Sequence, residues 1–343
     1  MERSLTSAFI SCAKENPQRV VFPEAHNDTM FQAVCAVLEQ SIAEPILIGN
    51  RELLTEKLNA SGISPNCIRI IEPTDEDTVG YIADKYASID GAIFGPKAAR
   101  RRLKDPLNLS MALVSTGDAD VAFAGIEAST GDVILAAQSF IGLEKGIMTP
   151  SSFGIFDIPG FAGSEGTLLA FGDSAVCANP TYEQLASIAI SCCDSVADLM
   201  GWNPRCALLS YSTAGSADGG LVEKVRRAVA EAQQMRPDLA IDGEFQLDAA
   251  LNPLSAKKKV SRESTVAGKT NIVVWPDLNA GNLMVKGVQL FAKGSAYGPL
   301  LQGFKRIVCD CSRSASVEEI IGNIAMSCVR ASAHSHRVKE SLQ

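Results

Sequence analysis

Short apolar runs alternate with amphipathic stretches along the chain. Runs of β-branched and aromatic residues that end near Gly or Pro, such as Arg19–Phe22, Pro45–Ile48 and Asn271–Trp275, predict buried strands. Between such runs, apolar residues recur at helical spacing in stretches such as Met30–Gln40 and Tyr182–Met200, which predicts helices packed along one face. This alternation predicts an α/β fold whose sheets are mainly parallel and covered on both faces.

The same pattern extends to the end of the chain. Further predicted strands lie at Cys67–Ile71, Asp120–Ala124, Ser152–Phe156, Leu168–Phe171, Cys206–Ser210 and Arg306–Cys309. Further predicted helices lie at Glu52–Asn59, Thr78–Tyr86, Lys97–Gly117 with a break near Pro106, Leu221–Met235 and Val317–Ala331. We predict loops at Ser129–Leu135 and Asp277–Asn282, and a solvated acidic segment at Asp242–Asp248.

Length and composition fit two folded domains. The chain has 343 residues, of which 46% are apolar and 20% are charged. This balance is typical of ordered globular proteins, in which a domain has about 100–200 residues. The strand–helix rhythm restarts near Thr149, so we predict a domain boundary there.

Charge and cysteine content exclude several classes of protein. The formal net charge is −8, which argues against a general nucleic-acid binder.

No apolar run approaches the roughly 20 residues that span a bilayer, and residues 1–17 lack the apolar core of a signal peptide. We expect a cytoplasmic protein without a membrane partner. Its 10 cysteines include no Cys-x-x-Cys and it has only 3 histidines, so we expect free thiols and no metal site.

Several small, polar loops follow predicted strands, where ligands bind in parallel α/β sheets. The segment Ser210–Gly220 lies between a strand and a helix, so its backbone N–H groups could hold an anion. It matches neither a Walker loop nor a dinucleotide fingerprint, and a tight connection rich in helix-capping residues explains it equally. Asp277–Asn282 permits close approach of the backbone to a ligand, or forms an ordinary turn.

The segment Asp310–Ser316 carries the strongest chemical signal. Arg313 can bind an oxyanion in bidentate fashion, and Ser312 can donate to a developing negative charge. Glu319, in the helix that follows, could act as a general base. The alternative is a helix start in which Ser316 and Glu319 form a capping box and Arg313 pairs with a surface acid.

Together these loops resemble the phosphate acetyltransferase (phosphotransacetylase) family, and the stand-alone or ethanolamine-utilisation enzymes in particular. The matching stretches occur in the family's order over nearly the whole chain. They are Val21–Glu24, Lys104–Pro106, Ser151–Phe153, Leu208–Ser216, Ile241–Ala250, Val266–Lys269, Pro276–Asn282, Gly298–Gly303, Ser312–Arg313 and Ser316–Ile320.

The resemblance implies two α/β domains with an active-site cleft between them. The first domain would comprise residues 1–148 and 301–343, and the second residues 149–300. The family exchanges an acetyl group between coenzyme A and inorganic phosphate, usually as a homodimer and without a metal in the chemical step. Acetyl-CoA and phosphate would therefore be substrates, and no cofactor is expected.

The resemblance also assigns residues to the site. Ser312 and Arg313 match the family's serine–arginine pair at the phosphate and acyl site, and Glu319 matches an aspartate proposed as base for the thiol of coenzyme A. We expect the substrate-binding residues to lie in the small-residue loops beside the cleft. They are Ser151, Ser152, Thr213, Gly215, Asn279, Asn282 and Gln302.

Departures from the family pattern concentrate in the first domain. Leu135 stands where the family has an arginine that helps to bind phosphate, and a second family arginine has no counterpart between Lys85 and Lys97. Residues 100–102, all arginine, could supply substitute charge or form a solvated helix face. These departures predict weak phosphate binding. They leave open a catalytically impaired member with a structural or regulatory role, or a relative with different acyl specificity.

Overall fold

The computed structural model describes residues 4–341, with side chains described as far as residue 337. The strands are Gln18–Phe22 (β1), Ala43–Ile48 (β2), Arg69–Ile71 (β3), Val121–Ala124 (β4), Ser151–Asp157 (β5), Leu168–Gly172 (β6), Arg205–Leu209 (β7), Ala240–Phe245 (β8), Ile272–Val274 (β9), Ser295–Gln302 (β10) and Ile307–Asp310 (β11).

The helices pack between and around these strands. They are Leu5–Glu15 (α1), Asp28–Glu39 (α2), Arg51–Ala60 (α3), Glu76–Ala87 (α4), Pro96–Arg102 (α5), Pro106–Ser115 (α6), Thr130–Phe140 (α7), Tyr182–Met200 (α8), Gly220–Met235 (α9), Leu247–Leu251 (α10), Pro253–Lys259 (α11), Leu278–Phe291 (α12) and Val317–Ser341 (α13). No helix within the described range is both long and apolar enough to cross a membrane.

The chain divides into two compact units. The first consists of Met1–Gly142 and Phe304–Gln343, and the second of Leu143–Gly303. The predicted α/β architecture with mainly parallel sheets is confirmed in both units.

The first unit contains a parallel five-stranded sheet in the order β11-β4-β1-β2-β3. Its central strand β1 is formed by β-branched and aromatic residues, and Val20, Val21 and Phe22 are fully buried. Because the strands are parallel, β1, β4 and β11 end at the same edge of the sheet. The segments that begin at Glu24, Gly125 and Cys311 therefore lie side by side.

The second unit contains a six-stranded mixed sheet in the order β10-β5-β6-β9-β7-β8. The four strands from β6 to β8 run parallel, whereas β5 and β10 are antiparallel to their neighbours. On one face, Phe171 stacks on Phe156 at 4.3 Å and meets Trp275 edge-on at 5.2 Å between ring centroids. Such aromatic contacts bury large apolar areas and hold neighbouring strands in register.

Three segments predicted as loops or acidic surface are regular elements. Residues 130–140 form α7, which a capping box between Ser129 and Asp132 initiates. Residues 278–291 form α12, which Asp277 caps by accepting the backbone N–H of Ala280. Residues 240–245 form β8, because the carboxylates in that segment have internal partners and need no solvent.

Helix α1 and strand β10 were not predicted from the sequence. Only Phe9 and Ala13 are buried in helix α1, so few of its positions need the apolar residues whose spacing predicts a helix. Strand β10 contains an irregularity between Tyr297 and Leu300, which breaks the alternation that identifies a strand.

Candidate functional site

The turn between β11 and α13 carries Ser312 and Arg313, and the first turn of α13 carries Glu319, the third residue predicted to be catalytic. Ser312 and Arg313 are exposed, and the hydroxyl oxygens of Ser312 and Ser314 lie 3.0 Å apart. Glu319 is also exposed; its Oε2 accepts the backbone N–H of Ser316 at 2.8 Å, while Ser316 Oγ accepts the N–H of Glu319 at 3.2 Å. The capping box therefore forms, and it fixes the Glu319 carboxylate at the start of α13.

Arg313 has no hydrogen bond or ion pair with any other residue in the described part of the chain. The alternative in which Arg313 pairs with a surface acid is therefore wrong, although the capping box of the same alternative forms. The Arg313 charge acts on Asp132 at a distance. Hydrogen bonds from Ser129 are the main cause that lowers the pKa of Asp132, and the positive charge of Arg313 lowers it further. An unpaired guanidinium at a strand–helix turn is well suited to binding an oxyanion.

Asp310, the last residue of β11, is a further member of this site. Its Oδ2 accepts a hydrogen bond of 2.6 Å from Thr130 Oγ1 at the start of α7, while its Oδ1 is buried without a partner. Burial raises the pKa of Asp310 to about 6, the Thr130 hydrogen bond lowers it, and the charge of Glu24 raises it. A Cβ atom at Gly125 would lie 2.1 Å from Asp310 Oδ1, so this close approach requires glycine.

The Glu24 carboxylate organises the loop that follows β4. Its two oxygens accept four consecutive backbone N–H groups, from Gly125 to Ala128, at 2.7–3.2 Å. Such a run of N–H groups is a typical anion-binding nest. In this protein the nest holds an internal carboxylate, which orders the approach to α7.

Three of the predicted substrate-binding residues meet where β5 begins and β10 ends. Gln302 Nε2 donates to Ser151 Oγ at 3.0 Å and contacts the Ser152 carbonyl oxygen at 3.5 Å; all three residues are fully or almost fully buried. Ser152 Oγ donates to Asp173, whose carboxylate also accepts the N–H of Cys177 at 2.6 Å. These side chains are thus bonded to one another and fix the ends of β5, β6 and β10.

Thr213 and Gly215 lie in the loop after β7, which the buried carboxylate of Glu244 holds. Glu244 Oε1 accepts hydrogen bonds of 2.9 Å from Ser212 Oγ and from the N–H of Gly215, and Glu244 pairs with Arg226 at 3.3 Å. Burial alone would raise the pKa of Glu244, but the hydrogen bonds from Gly215 and Arg226 outweigh it and the pKa is lowered.

The prediction of a solvated acidic face at 242–248 is wrong for Asp242 and Glu244. Asp242 is 6% exposed, and its carboxylate accepts hydrogen bonds from both terminal nitrogens of Arg262, at 2.8 and 2.5 Å. Only Asp248 is exposed, and it pairs with Lys259 at 2.7 Å.

Asn279 and Asn282 occupy the beginning of α12 and are both exposed. Asn282 Nδ2 contacts the Ser174 carbonyl oxygen at 3.4 Å, and the Ser174 N–H in turn donates to Ser152 Oγ at 3.3 Å. Asn282 is therefore linked to the cluster at the beginning of β5, in the same unit.

The region where the sequence departs from the family lies on α7 and α5. Leu135 is 65% exposed on α7, three residues after Asp132 and so on the same side of the helix. Arg100 pairs with Asp84 at 2.8 Å, and Arg102 lies over the Phe94 ring at 4.3 Å. These two arginines are already engaged with their own unit, as expected of a solvated helix face.

Four carboxylates were not identified as site residues from the sequence: the buried Glu24, Asp173 and Glu244, and the half-buried Asp310. Each lies in the last two residues of an apolar strand or in the two residues after it, and this position is the signal that could have identified them.

All ten cysteines are free thiols. Residues 4–337 contain no group of three or more His, Cys, Asp or Glu arranged to hold a metal ion.

Comparisons with known proteins assign the chain to a family. The family model "Phosphate acetyl/butaryl transferase" matches residues 4–328. The phosphate acetyltransferase of Clostridium acetobutylicum is 35% identical over 328 residues, covering 95% of this chain and 98% of that protein. That of Thermoanaerobacterium thermosaccharolyticum is 36% identical over 329 residues, covering 96% and 99%.

Solved structures agree. A phosphotransacetylase from Streptococcus pyogenes superposes with a TM-score of 0.85 at 30% identity, covering 96% of this chain and 99% of that one. The EutD phosphotransacetylase from Staphylococcus aureus gives a TM-score of 0.84 at 27% identity, covering 95% and 99%. The resemblance seen in the sequence motifs is confirmed, and the chain belongs to the phosphate acetyl/butaryl transferase family of acyltransferases.

Proposed function

We propose that this protein exchanges an acetyl group between coenzyme A and inorganic phosphate, as the names of its relatives indicate. The observation that carries the proposal is the unpaired Arg313 beside Ser312, on an exposed strand–helix turn of a chain that matches the family over nearly its full length. Acetyl-CoA and phosphate are the substrates, or acetyl phosphate and coenzyme A in the other direction.

In the direction of acetyl-CoA synthesis, the thiol of coenzyme A attacks the carbonyl carbon of acetyl phosphate. A C–S bond forms, and the carbonyl oxygen becomes an oxyanion that Ser312 Oγ stabilises by donating a hydrogen bond. The C–O bond to phosphate then breaks, and the phosphate leaves with its oxygens held by Arg313. Glu319 takes the thiol proton, since a thiol with a pKa of about 8.5 is mostly neutral near pH 7.

The proposal includes a site built from both units. The resemblance implies an interdomain cleft, to which the second unit contributes the loops containing Ser151, Ser152, Thr213, Gly215, Asn279, Asn282 and Gln302. The internal bonds of Ser152 and Gln302 support a role in shaping these loops. No metal or other cofactor takes part in the proposed reaction, and we place the enzyme in the cytoplasm.

We also propose that the enzyme is a homodimer formed through α12. This helix has one charged residue, Lys286, and it exposes Leu283, Leu290 and Phe291 by 71%, 62% and 90%. Three large apolar side chains exposed on one helix are normally covered by another surface. The neighbouring strand β10 lies at the edge of its sheet. Phe291→Asp should give a monomer in sedimentation analysis, whereas the equally polar change Tyr81→Asp in the first unit should leave the dimer intact.

The test of the activity is direct measurement of thioester formation from coenzyme A and acyl phosphates. We expect acetyl-CoA with acetyl phosphate, and less product with butyryl phosphate. A folded protein that accepts only longer acyl groups would show a different acyl specificity. A folded protein that forms no thioester from either compound would show that the catalytically impaired alternative is correct.

A further inference from the structure

A half-buried carboxylate, that of Asp310, connects β11 to α7 in the first unit. Asp310 immediately precedes the Cys311–Ser312–Arg313 segment, and its Oδ2 accepts the Thr130 hydroxyl at 2.6 Å across 180 residues of sequence. The Cys311 N–H also donates to the Ala124 carbonyl oxygen at 2.9 Å, so the backbone of the turn is held from the same side. The start of the catalytic turn is therefore fastened to the loop and helix that follow β4.

The geometry at Asp310 is costly for stability. Its Oδ1 is buried without a hydrogen-bond partner, and only a glycine at position 125 leaves room for it. Burial raises the pKa of Asp310 to about 6, and the charge of the nearby Glu24 carboxylate contributes to this rise. A carboxylate with one oxygen bonded and the other inaccessible and unbonded, close to a second carboxylate, lowers stability. Such residues are typical of functional sites.

We propose that Asp310 is a positioning residue for the acyl-transfer reaction, which orients Ser312 and Arg313 by accepting the Thr130 hydroxyl. This inference rests on the proposed function. Asp310 does not touch the substrates, because its free oxygen is inaccessible. The anionic carboxylate forms a stronger bond to the hydroxyl than a neutral group would, and this bond sets the direction in which the next three residues leave the strand.

The groups that face Asp310 come from every element around it. Glu24, after β1, affects the pKa of Asp310, and the carboxylate of Asp310 in turn raises the pKa values of the Cys309 and Cys311 thiols. Thr130 is the partner from α7. Both thiols are buried and stay neutral near pH 6, because burial raises their pKa values well above that range. Asp310 is thus the group of this cluster expected to change charge near pH 6.

The experiment is a double-mutant cycle with Asp310→Asn and Thr130→Val, read out as kcat/KM for acetyl phosphate and coenzyme A between about pH 5 and pH 8. We expect each single change to lower kcat/KM by about 10- to 100-fold near pH 7.5, and the double change to be no worse than either. The ratio of wild type to Asp310→Asn should fall towards one as the pH drops through about 6. A residue with a purely structural role would not produce this pH-dependent ratio.

Asp75 and Thr78 provide a matched control. They form a similar carboxylate–hydroxyl bond of 2.7 Å at the start of α4, after the strand at the opposite edge of the same sheet. Asp75→Asn should leave kcat/KM and its pH profile unchanged.

The outcomes separate the two proposals. An active wild type with Asp310→Asn and Thr130→Val variants of equal activity would overturn the positioning role alone. Additive effects in the cycle, or a ratio independent of pH, would also overturn it. If either variant fails to fold, the serine variant Thr130→Ser, which keeps the hydroxyl, must retain kcat/KM within a few fold. A folded wild type without turnover would overturn the proposed function and this inference with it.

Discussion

Two loops that join a strand to a helix differ in how their polar groups are held. In the second unit, the loop from Ser212 to Gly215 is fastened by Glu244, which accepts a hydroxyl and a backbone N–H and pairs with Arg226. In the first unit, Ser312 and Arg313 are exposed, and the guanidinium has no partner in the described residues. Both loops look alike in sequence, being rich in serine and following a buried strand.

The difference distinguishes groups that stabilise a loop from groups that are free to bind a ligand. A buried carboxylate with all its bonds made stabilises a fixed loop, which suits the shape of a binding surface. An unpaired charge contributes little to the fold and is available to a ligand. The second unit therefore has loops held by internal bonds, whereas the turn between β11 and α13 carries the free charge to which the proposed function assigns the phosphoryl group.

The largest effect is expected from removing this free charge. Arg313→Ala should lower kcat/KM by roughly 10²–10³, because a donor to the transferring group is lost in the transition state. Arg101→Ala, from the neighbouring run of arginines, is the matched control and should leave turnover within about twofold. Steady-state kinetics with acetyl phosphate would measure both. Full activity in Arg313→Ala would place the anion site elsewhere.

The next effect concerns Leu135, which leaves α7 without the arginine that the family resemblance leads us to expect. Leu135→Arg should tighten phosphate binding by about 10- to 100-fold, because one charge-assisted hydrogen bond is gained. The side chain is 65% exposed, so the change should cost little stability. Calorimetric titration with phosphate and with coenzyme A would show tighter binding of phosphate only. Tight phosphate binding in the wild type, unchanged by Leu135→Arg, would mean that other groups replace the arginine.

A smaller effect is expected on the stability of the second unit. Glu244→Gln should lower the free energy of unfolding by about 1–3 kcal/mol, because buried donors lose a charged acceptor. The lowered pKa of Glu244 means that the wild type has this advantage above its ordinary pKa of 4.5 and loses it as the pH falls further. Denaturant unfolding would measure it. Asp248→Asn, which affects only an exposed ion pair, should change stability by less than about 0.5 kcal/mol.

The smallest effect has the opposite sign. The pKa of Asp310 is raised from 3.8 to about 6, so its contribution favours the folded state below pH 3.8 and is lost as the pH rises through about 6. Between about pH 5 and pH 7.5, the stability of Asp310→Asn relative to wild type should rise by about 1.4 kcal/mol. Urea unfolding at both pH values would measure this change. A constant difference would show that Asp310 does not titrate in this range.

The sequence allowed prediction of the strands and long helices whose apolar periodicity was strong. It also allowed the proposed catalytic residues to be named, because Ser312 and Arg313 are adjacent on one strand–helix turn and Glu319 follows at the start of the next helix. Strand β8 could not be predicted, since two acids within it, Asp242 and Glu244, are satisfied by partners that are distant in sequence.

The bond between Asp310 and Thr130 was beyond sequence reasoning for the same reason. These residues are 180 positions apart, and nothing local marks them as partners. The prediction of a loop at Ser129–Leu135 rests on the family resemblance, whereas the capping box between Ser129 and Asp132 indicates the helix start that the structure contains. Local patterns thus identified the exposed polar residues of the β11–α13 turn more readily than the carboxylates that hold the loops in place.

The central claim is that this protein transfers an acetyl group between coenzyme A and phosphate at the Ser312–Arg313 turn. Its most direct test is isotope exchange, in which labelled inorganic phosphate is incubated with unlabelled acetyl phosphate and the enzyme. We predict that label enters acetyl phosphate only when coenzyme A is present, and roughly 10²–10³ times more slowly with Arg313→Ala. No exchange by the folded wild type in the presence of coenzyme A, or equal exchange without it, would contradict the account.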